Sequence, residues 1–248
     1  MSKMQFPENE LTFLFEKALS IYRKNRVTSV LLYVIFILYF SIPSFQIPLL
    51  EYSGFRVTSL MEQRTIQHNL IFYPRQSWIP VSKVNPDLLR AILALEDESF
   101  FYNKGIDWVQ LDQSLKINKR RGKIVRGAST ITMQLAKNLY LTTGRNSFIK
   151  GKEILIAFRM EKELTKRTIL RNYINAIEWG NGVFGIKEAA EKYFHKEPKN
   201  LTSEECARLA AVIPSPLIHS PVSNSGYVLR RTSVALNRMK NIVLFPGK

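Results

Sequence analysis

The chain has 248 residues, 46% hydrophobic and 23% charged, which is enough for one globular domain with a sizeable core and excludes a disordered tail. Its formal net charge of +16 calls for polyanionic company: nucleic acid, anionic lipid or a phosphorylated substrate. Where the bulk of the chain sits decides among these.

Residues 27–50, VTSVLLYVIFILYFSIPSFQIPLL, carry no charge, and about 20 apolar residues suffice to cross a bilayer as a helix. The stretch reads as an uncleaved transmembrane anchor. A cleaved signal peptide is the competing reading, but the stretch is long, residues 1–26 precede it, and no small-x-small cleavage site follows it. Arg23, Lys24 and Arg26 stand just before it, so the positive-inside rule puts residues 1–26 in the cytoplasm and the chain from residue 51 onward outside. Nucleic acid then drops out as the main partner, and lipid head groups or a phosphorylated lipid remain.

Residues 51–77 read as a connector and 78–248 as one extracytoplasmic domain. LIFYPRQSWIPVS (70–82) is rich in aromatics and broken by Pro74 and Pro80, which suits a short strand or an extended packing segment. Helical blocks follow near 86–101, 106–117, 128–142, 150–164, 166–177, 185–195 and 203–213, so the domain is mainly α. Asn85-Pro86 is a helix start, Thr202 with Glu205 is a capping-box pattern, and Pro214 closes the helix between them and it. The single Cys206 has no partner for a disulfide and reads as core. With it, His68, His195 and His219 give no recognised zinc spacing.

Three stretches carry residues suited to chemistry. In the first, Leu89, Ile92, Leu93 and Phe100 fall on one apolar helical stripe, and the residue completing it is Glu96. A carboxylate there loses hydration, which raises its proton affinity and suits it to act as a base. The plainer alternative turns Glu96 to water with Asp97 and Glu98. In the second, Gly127 precedes Ser129, Thr130 and Thr132 at a helix start, an anion-friendly cradle to which Lys137 and Arg145 add charge. An ordinary N-cap with solvated basic residues explains the same pattern. In the third, Glu153 lies near Lys150 and Lys152, which favour its ionised form. Simple helix-surface pairing also fits.

Taken together, AILALEDESFFYNKGID, RGASTITMQLAKN, KGKEILIAFRMEKELTKRTILRNYIN, EWGNGVFGIKEAAEKYFHK and LTSEECARLAAVIPSP resemble the peptidoglycan glycosyltransferases of glycosyltransferase family 51, in order and spacing, over residues 78–220. IEWGNGVFG and ARLAAVIPSP look most like the monofunctional biosynthetic transglycosylases of Gram-negative bacteria. The resemblance implies a lysozyme-like α-helical domain that polymerises lipid II into β-1,4-linked glycan strands, with inversion and release of undecaprenyl diphosphate. It assigns Glu96 as the general base and Glu153 as the second catalytic glutamate, near the donor pyrophosphate. Lys137, Arg145 and Lys152 match basic residues that bind the pyrophosphate. Asp97, Phe100, Asn103, Gly105, Ser129, Thr130, Gln134, Asn138 and Lys150 match supporting positions.

The same resemblance implies no required cofactor, with magnesium or manganese as an optional stimulant, since no Asp-rich ligand set is visible. It implies an inner-membrane protein with a periplasmic catalytic domain, and penicillin-binding proteins and divisome components as partners by analogy. SFIK at Ser147–Lys150 matches Ser-x-x-Lys, but no Lys-Thr-Gly or Ser-Asp-Asn accompanies it, so no transpeptidase activity is expected. The basic run KINKRRGKIVR (116–126) suits contact with anionic head groups at about 1 kcal/mol per basic residue. Three positions depart from the family pattern: Asn103 replaces a His, Met133 a Gln, and Ile149 an Arg. Asn donates and accepts hydrogen bonds but does not titrate, so a positional role survives there and a proton relay does not. An inactive lipid II or synthase scaffold, or a lytic glycosidase, are the other readings. Phosphate-binding Lys137 and Arg145 argue against the glycosidase, which releases no diphosphate.

Overall fold

A computed structural model describes residues 8–52, 57–67, 75–123, 127–144 and 146–246. It divides into two compact units, Met1–Ile42 and Pro43–Lys248.

The first unit holds helices α1 (Glu8–Lys24) and α2 (Arg26–Phe40). Leu31, Leu32, Tyr33 and Val34 of α2 are all exposed, and at 100° per residue they surround the helix rather than marking one face. The 15 residues of α2 rise only about 22 Å, against about 30 Å of bilayer hydrocarbon. Among the described residues no helix is long and apolar enough to cross a membrane. The expected single helix over 27–50 is therefore corrected: it stops at Phe40. Pro43 and Pro48 lack the amide donor that would extend it. Past Pro43, Ile47 and Leu50 are buried in the second unit, where the Leu50 carbonyl accepts from Arg171 and Asn172.

The second unit is mainly α, as expected. It contains α3 (Ser59–Gln67), α4 (Pro86–Glu96), α5 (Trp108–Arg121), α6 (Ile131–Tyr140), α7 (Ser147–Glu163) and α8 (Lys166–Ala176). There follow a two-stranded antiparallel hairpin of β1 (Glu178–Gly180) and β2 (Val183–Phe184), then α9 (Ile186–Phe194), α10 (Ser203–Val212) and α11 (Gly226–Arg238). α10 packs on α4 and α11, and α6 packs on α7 and α8. The buried core runs through Leu88, Ile92, Leu135, Ile156, Ile174, Trp179 and Leu209. Cys206 lies in this core, where burial pushes its thiol up to about 12, so it is an inert apolar side chain.

Local chemistry sets most helix starts. The Asn85 side chain accepts from the Asp87 amide at 2.9 Å with Pro86 in the first turn, and Thr202 and Glu205 form the expected capping box. α6 begins three residues later than expected because Thr130 caps it, accepting from the Met133 amide. α7 begins three residues earlier because Asn146 caps it, accepting from the Ile149 amide. α5 runs past residue 117 to Arg121 and stops at Gly122, whose φ of 63° is a left-handed cap.

Other expectations change as well. α4 ends at Glu96 instead of residue 101, so Phe100 does not extend its apolar stripe; Phe100 is buried from the turn that follows. Helix α11 was not foreseen, although Val228, Thr232 and Ala235 form its buried face at helical spacing. Gln76 and Ile79 are tied to Asn175 of α8 through both its side-chain amide and its backbone carbonyl. Residues 75–80 form no strand, and residues 70–74 of that segment lie outside the described residues.

Candidate active site

Glu96 is the last residue of α4, where the helix opens towards α6 and α11. Its Oε1 accepts from Arg231 Nη2 at 2.7 Å and its Oε2 from Gln134 Nε2 at 3.1 Å. Gln134 Oε1 in turn accepts from the Tyr173 hydroxyl at 2.7 Å, so the amide is oriented from α8 before it reaches the carboxylate. The Glu96 side chain keeps only 9% exposure. Burial raises its pKa, and the Arg231 charge and the Gln134 hydrogen bond oppose that rise. The carboxylate is thus desolvated yet held by a cation, which suits a base that must be ionised before reaction and strongly proton-attracting during it. The plainer reading, in which Glu96 merely faces water, does not fit this geometry.

Asp97 is a different kind of carboxylate. It is buried, and its Oδ2 accepts from the Ile131 amide at 3.0 Å, while Oδ1 accepts from Asn103 Nδ2 at 2.9 Å and Ser99 Oγ at 3.3 Å. Burial pushes its pKa up to about 6. Oδ2 joins the end of α4 to the start of α6 and Oδ1 braces the turn after α4, so both oxygens are engaged within the protein.

Asn103 completes that joint. Its Oδ1 accepts from the Gly105 amide at 3.1 Å and from Lys166 Nζ at 3.4 Å. Lys166 also pairs with Glu161 at 2.7 Å and sits 4.5 Å from the Phe100 ring centroid. Burial lowers the Lys166 pKa and Glu161 opposes this. Phe100 therefore supports a part-buried cation rather than lining a helix stripe. Gly105 has φ of 92°, and its carbonyl accepts from Thr130 Oγ1 at 2.6 Å. A Cβ there would stand 3.2 Å from Glu161 Cγ and 3.4 Å from the Ala157 backbone. Gly105→Ala accordingly lowers stability by about 1–3 kcal/mol, measured as a fall in the urea midpoint of the purified protein.

Across α6 and α7, Lys150 Nζ donates to Ser129 Oγ at 3.0 Å and pairs with Glu153 at 2.7 Å. Glu153 is 4% exposed while Lys150 is exposed, so the pair joins a buried carboxylate to a surface cation. Gln134, Lys137 and Asn138 share one face of α6 at i, i+3 and i+4, which places Lys137 one turn beyond the side chain that touches Glu96. Lys152 lies 5.6 Å from the Phe148 ring centroid. Arg145 lies outside the described residues. Among the described residues no three His, Cys, Asp or Glu side chains gather to hold a metal ion.

An open cavity of about 1190 Å³ lies elsewhere, lined by Asp87, Arg90, Leu229, Thr232, Leu236 and Lys240 among others. On α11 these positions face away from Arg231, and the cavity does not include Glu96. The largely buried, oriented carboxylate is Glu96, outside this cavity. Arg231 and Tyr173 were not foreseen as site residues. Arg231 is 135 positions from Glu96 in sequence, on a helix the sequence reading did not define.

A largely buried carboxylate held between a helix-borne amide and a guanidinium is a group chemically able to accept a proton. The transglycosylase family model matches residues 63–240, more than half of the chain, which belongs to that family. The chain is 41% identical over 170 residues to a biosynthetic peptidoglycan transglycosylase of Chromobacterium violaceum, covering 68% of this chain and 75% of that protein. It is 40% identical over 165 residues to one of Herminiimonas arsenicoxydans, covering 66% and 71%. It is 38% identical over 197 residues to one of Paraburkholderia xenovorans, covering 78% and 82%.

Proposed function

We propose that this peptidoglycan glycosyltransferase polymerises lipid II, using Glu96 to take the proton from the 4-hydroxyl of the acceptor GlcNAc. The oxygen then attacks C1 of the donor MurNAc from the face opposite the leaving group. The C1–O bond to undecaprenyl diphosphate breaks, its electron pair leaves on the diphosphate, and a β-1,4 bond results with inversion. The observation that carries this reading is the desolvated Glu96 carboxylate fixed between Arg231 and Gln134. Charge grows on the diphosphate, so fixed cations give a large stabilisation of the transition state. Lys137, on the Gln134 face of α6, Arg145 and Lys152 fill that role in our reading, and Glu153 pairs with Lys150, which donates to the Ser129 hydroxyl. No step is routed through a metal, and magnesium or manganese is treated as an optional stimulant.

The unit Met1–Ile42 serves as the membrane anchor in this proposal. α2 is charge-free after Arg26 and apolar all round, and a short span is accommodated by local thinning and by flanking basic side chains reaching the interface. Arg23, Lys24 and Arg26 then mark the cytoplasmic end, which puts the catalytic unit in the periplasm of a cell with an inner membrane. Penicillin-binding proteins and divisome components are partners by analogy. Resistance to alkaline extraction, with external protease reaching the unit from residue 43 onward, tests this topology; release by alkali sinks it.

The activity itself is tested with labelled lipid II and the full chain in detergent, products being sized on a gel before and after lysozyme. Lysozyme-sensitive strands from the parent and none from Glu96→Gln support the proposal. Lipid II binding without strands moves the reading to a scaffold, and shortening of preformed strands moves it to a lytic glycosidase.

A further inference from the structure

The loop between α10 and α11 is held closely for a surface segment. Arg208 of α10 donates to the Pro221 carbonyl at 3.4 Å and the Ser223 carbonyl at 3.3 Å, and the His219 amide donates to the Ser215 carbonyl at 3.1 Å. These bonds brace the backbone on either side of His219. It lies flat on Tyr227, with centroids 3.9 Å apart and planes 11° from parallel. Tyr227 belongs to the first turn of α11, and Arg231 follows it by one turn on the same face.

The Arg231 guanidinium is bounded on three sides. Its carbon is 5.9 Å from the Tyr227 ring centroid, its Nε donates to the Ala211 carbonyl at 3.0 Å, and its Nη2 donates to Glu96. Ala211 is in the last turn of α10, where carbonyls favour a cation. The aromatic side is the adjustable one, because the Tyr227 ring is kept in place by the imidazole stacked on it.

We propose that His219 and Tyr227 are positioning residues for proton removal: the imidazole stacked on the phenol holds the Arg231 guanidinium against Glu96. This rests on Glu96 being the base of a lipid II polymerase. The groups facing Glu96 are Arg231 from α11, Gln134 from α6, Tyr173 from α8 and its neighbour Asp97. Of these, Arg231 alone brings a positive charge. Loosening it leaves Glu96 more basic and less often ionised, so the acid limb of the pH–rate profile moves to higher pH. A loss of folding alone lowers the rate at every pH without moving that limb.

The experiment is steady-state polymerisation of lipid II by the full chain in detergent, read as kcat, KM and pH–rate profile, for the parent, His219→Ala and His219→Phe. Thermal unfolding of each is recorded alongside. His219→Ala is expected to lose about tenfold in kcat, with KM within about twofold and the acid limb moved up. His219→Phe keeps a flat ring on Tyr227 and is expected to restore both. If His219→Ala proves unfolded, Tyr227→Leu takes its place, with the same loss and the same shift expected. Parent-like kinetics in the chosen variant overturn the proposal, as does His219→Phe remaining as impaired as His219→Ala. An inactive parent, or an active Glu96→Gln, instead overturns the functional reading itself, and both are measured first.

Discussion

Glu96→Gln lowers the lipid II polymerisation rate by about 100- to 10,000-fold, the range for loss of a positioned general base, with little change in stability. Gln matches Glu in shape and can still accept a hydrogen bond at the end of α4. The Arg231 side chain retains 27% exposure and its bond to the Ala211 carbonyl, so losing the carboxylate does not strand a buried charge. What Gln cannot do is take a proton. The parent should also lose activity on acidification earlier than an ordinary solvated carboxylate would, because burial raises the Glu96 pKa and only the ionised form serves as base. A pH–rate profile of the parent and a single-pH comparison with Glu96→Gln check both statements. Equal rates for parent and variant would remove Glu96 from the mechanism.

Features set by neighbours in sequence were readable from the sequence. Asn85-Pro86 starts α4 and the Thr202–Glu205 box starts α10 because a cap needs only residues within one turn. Glu96 was readable as a carboxylate following an apolar helix face. What surrounds it was not, because its partners come from α6 and α11, 38 and 135 positions away. The end of α4 was misplaced for a related reason. Asp97 leaves the helix to accept from the Ile131 amide 34 positions on, and no local signal announces that bond.

The departures from the family pattern also acquire physical accounts. Met133 is buried with Ile106 and Ala157 in a cluster joining α6 to α7, a position where an apolar side chain packs and an amide would need partners. Asn103 supplies a donor to Asp97 and an acceptor to Gly105 and Lys166, so the joint is satisfied without a titrating group. Nothing in the structure explains Ile149 in place of Arg.

Asp97→Ala is expected to cost about 3–5 kcal/mol of folding stability, the range for removing one member of a buried charged network. The substitution orphans the buried Ile131 amide at the first turn of α6 and leaves Asn103 Nδ2 and Ser99 Oγ without the carboxylate they share. Activity falls with it, since the same joint fixes α4 against the helix that carries Gln134. Asp97→Asn separates charge from hydrogen bonding. An amide oxygen can keep the Ile131 bond, but the amide nitrogen then faces another donor, Asn103 Nδ2. The pH dependence gives the sign. The Asp97 pKa rises from the usual 3.8 to about 6 on folding, so the folded state holds that proton more tightly than the unfolded one. Its contribution is most favourable below pH 3.8 and is lost as pH rises to 6 and beyond, by about 3 kcal/mol. Asp97→Asn has no such loss, so its destabilisation relative to the parent should be smaller at pH 8 than at pH 5. Urea unfolding of parent and variant at the two pH values measures this difference. A destabilisation that grows with pH would mean that the Asp97 carboxylate is stabilised as an anion by Lys166 and its donors, outweighing its burial.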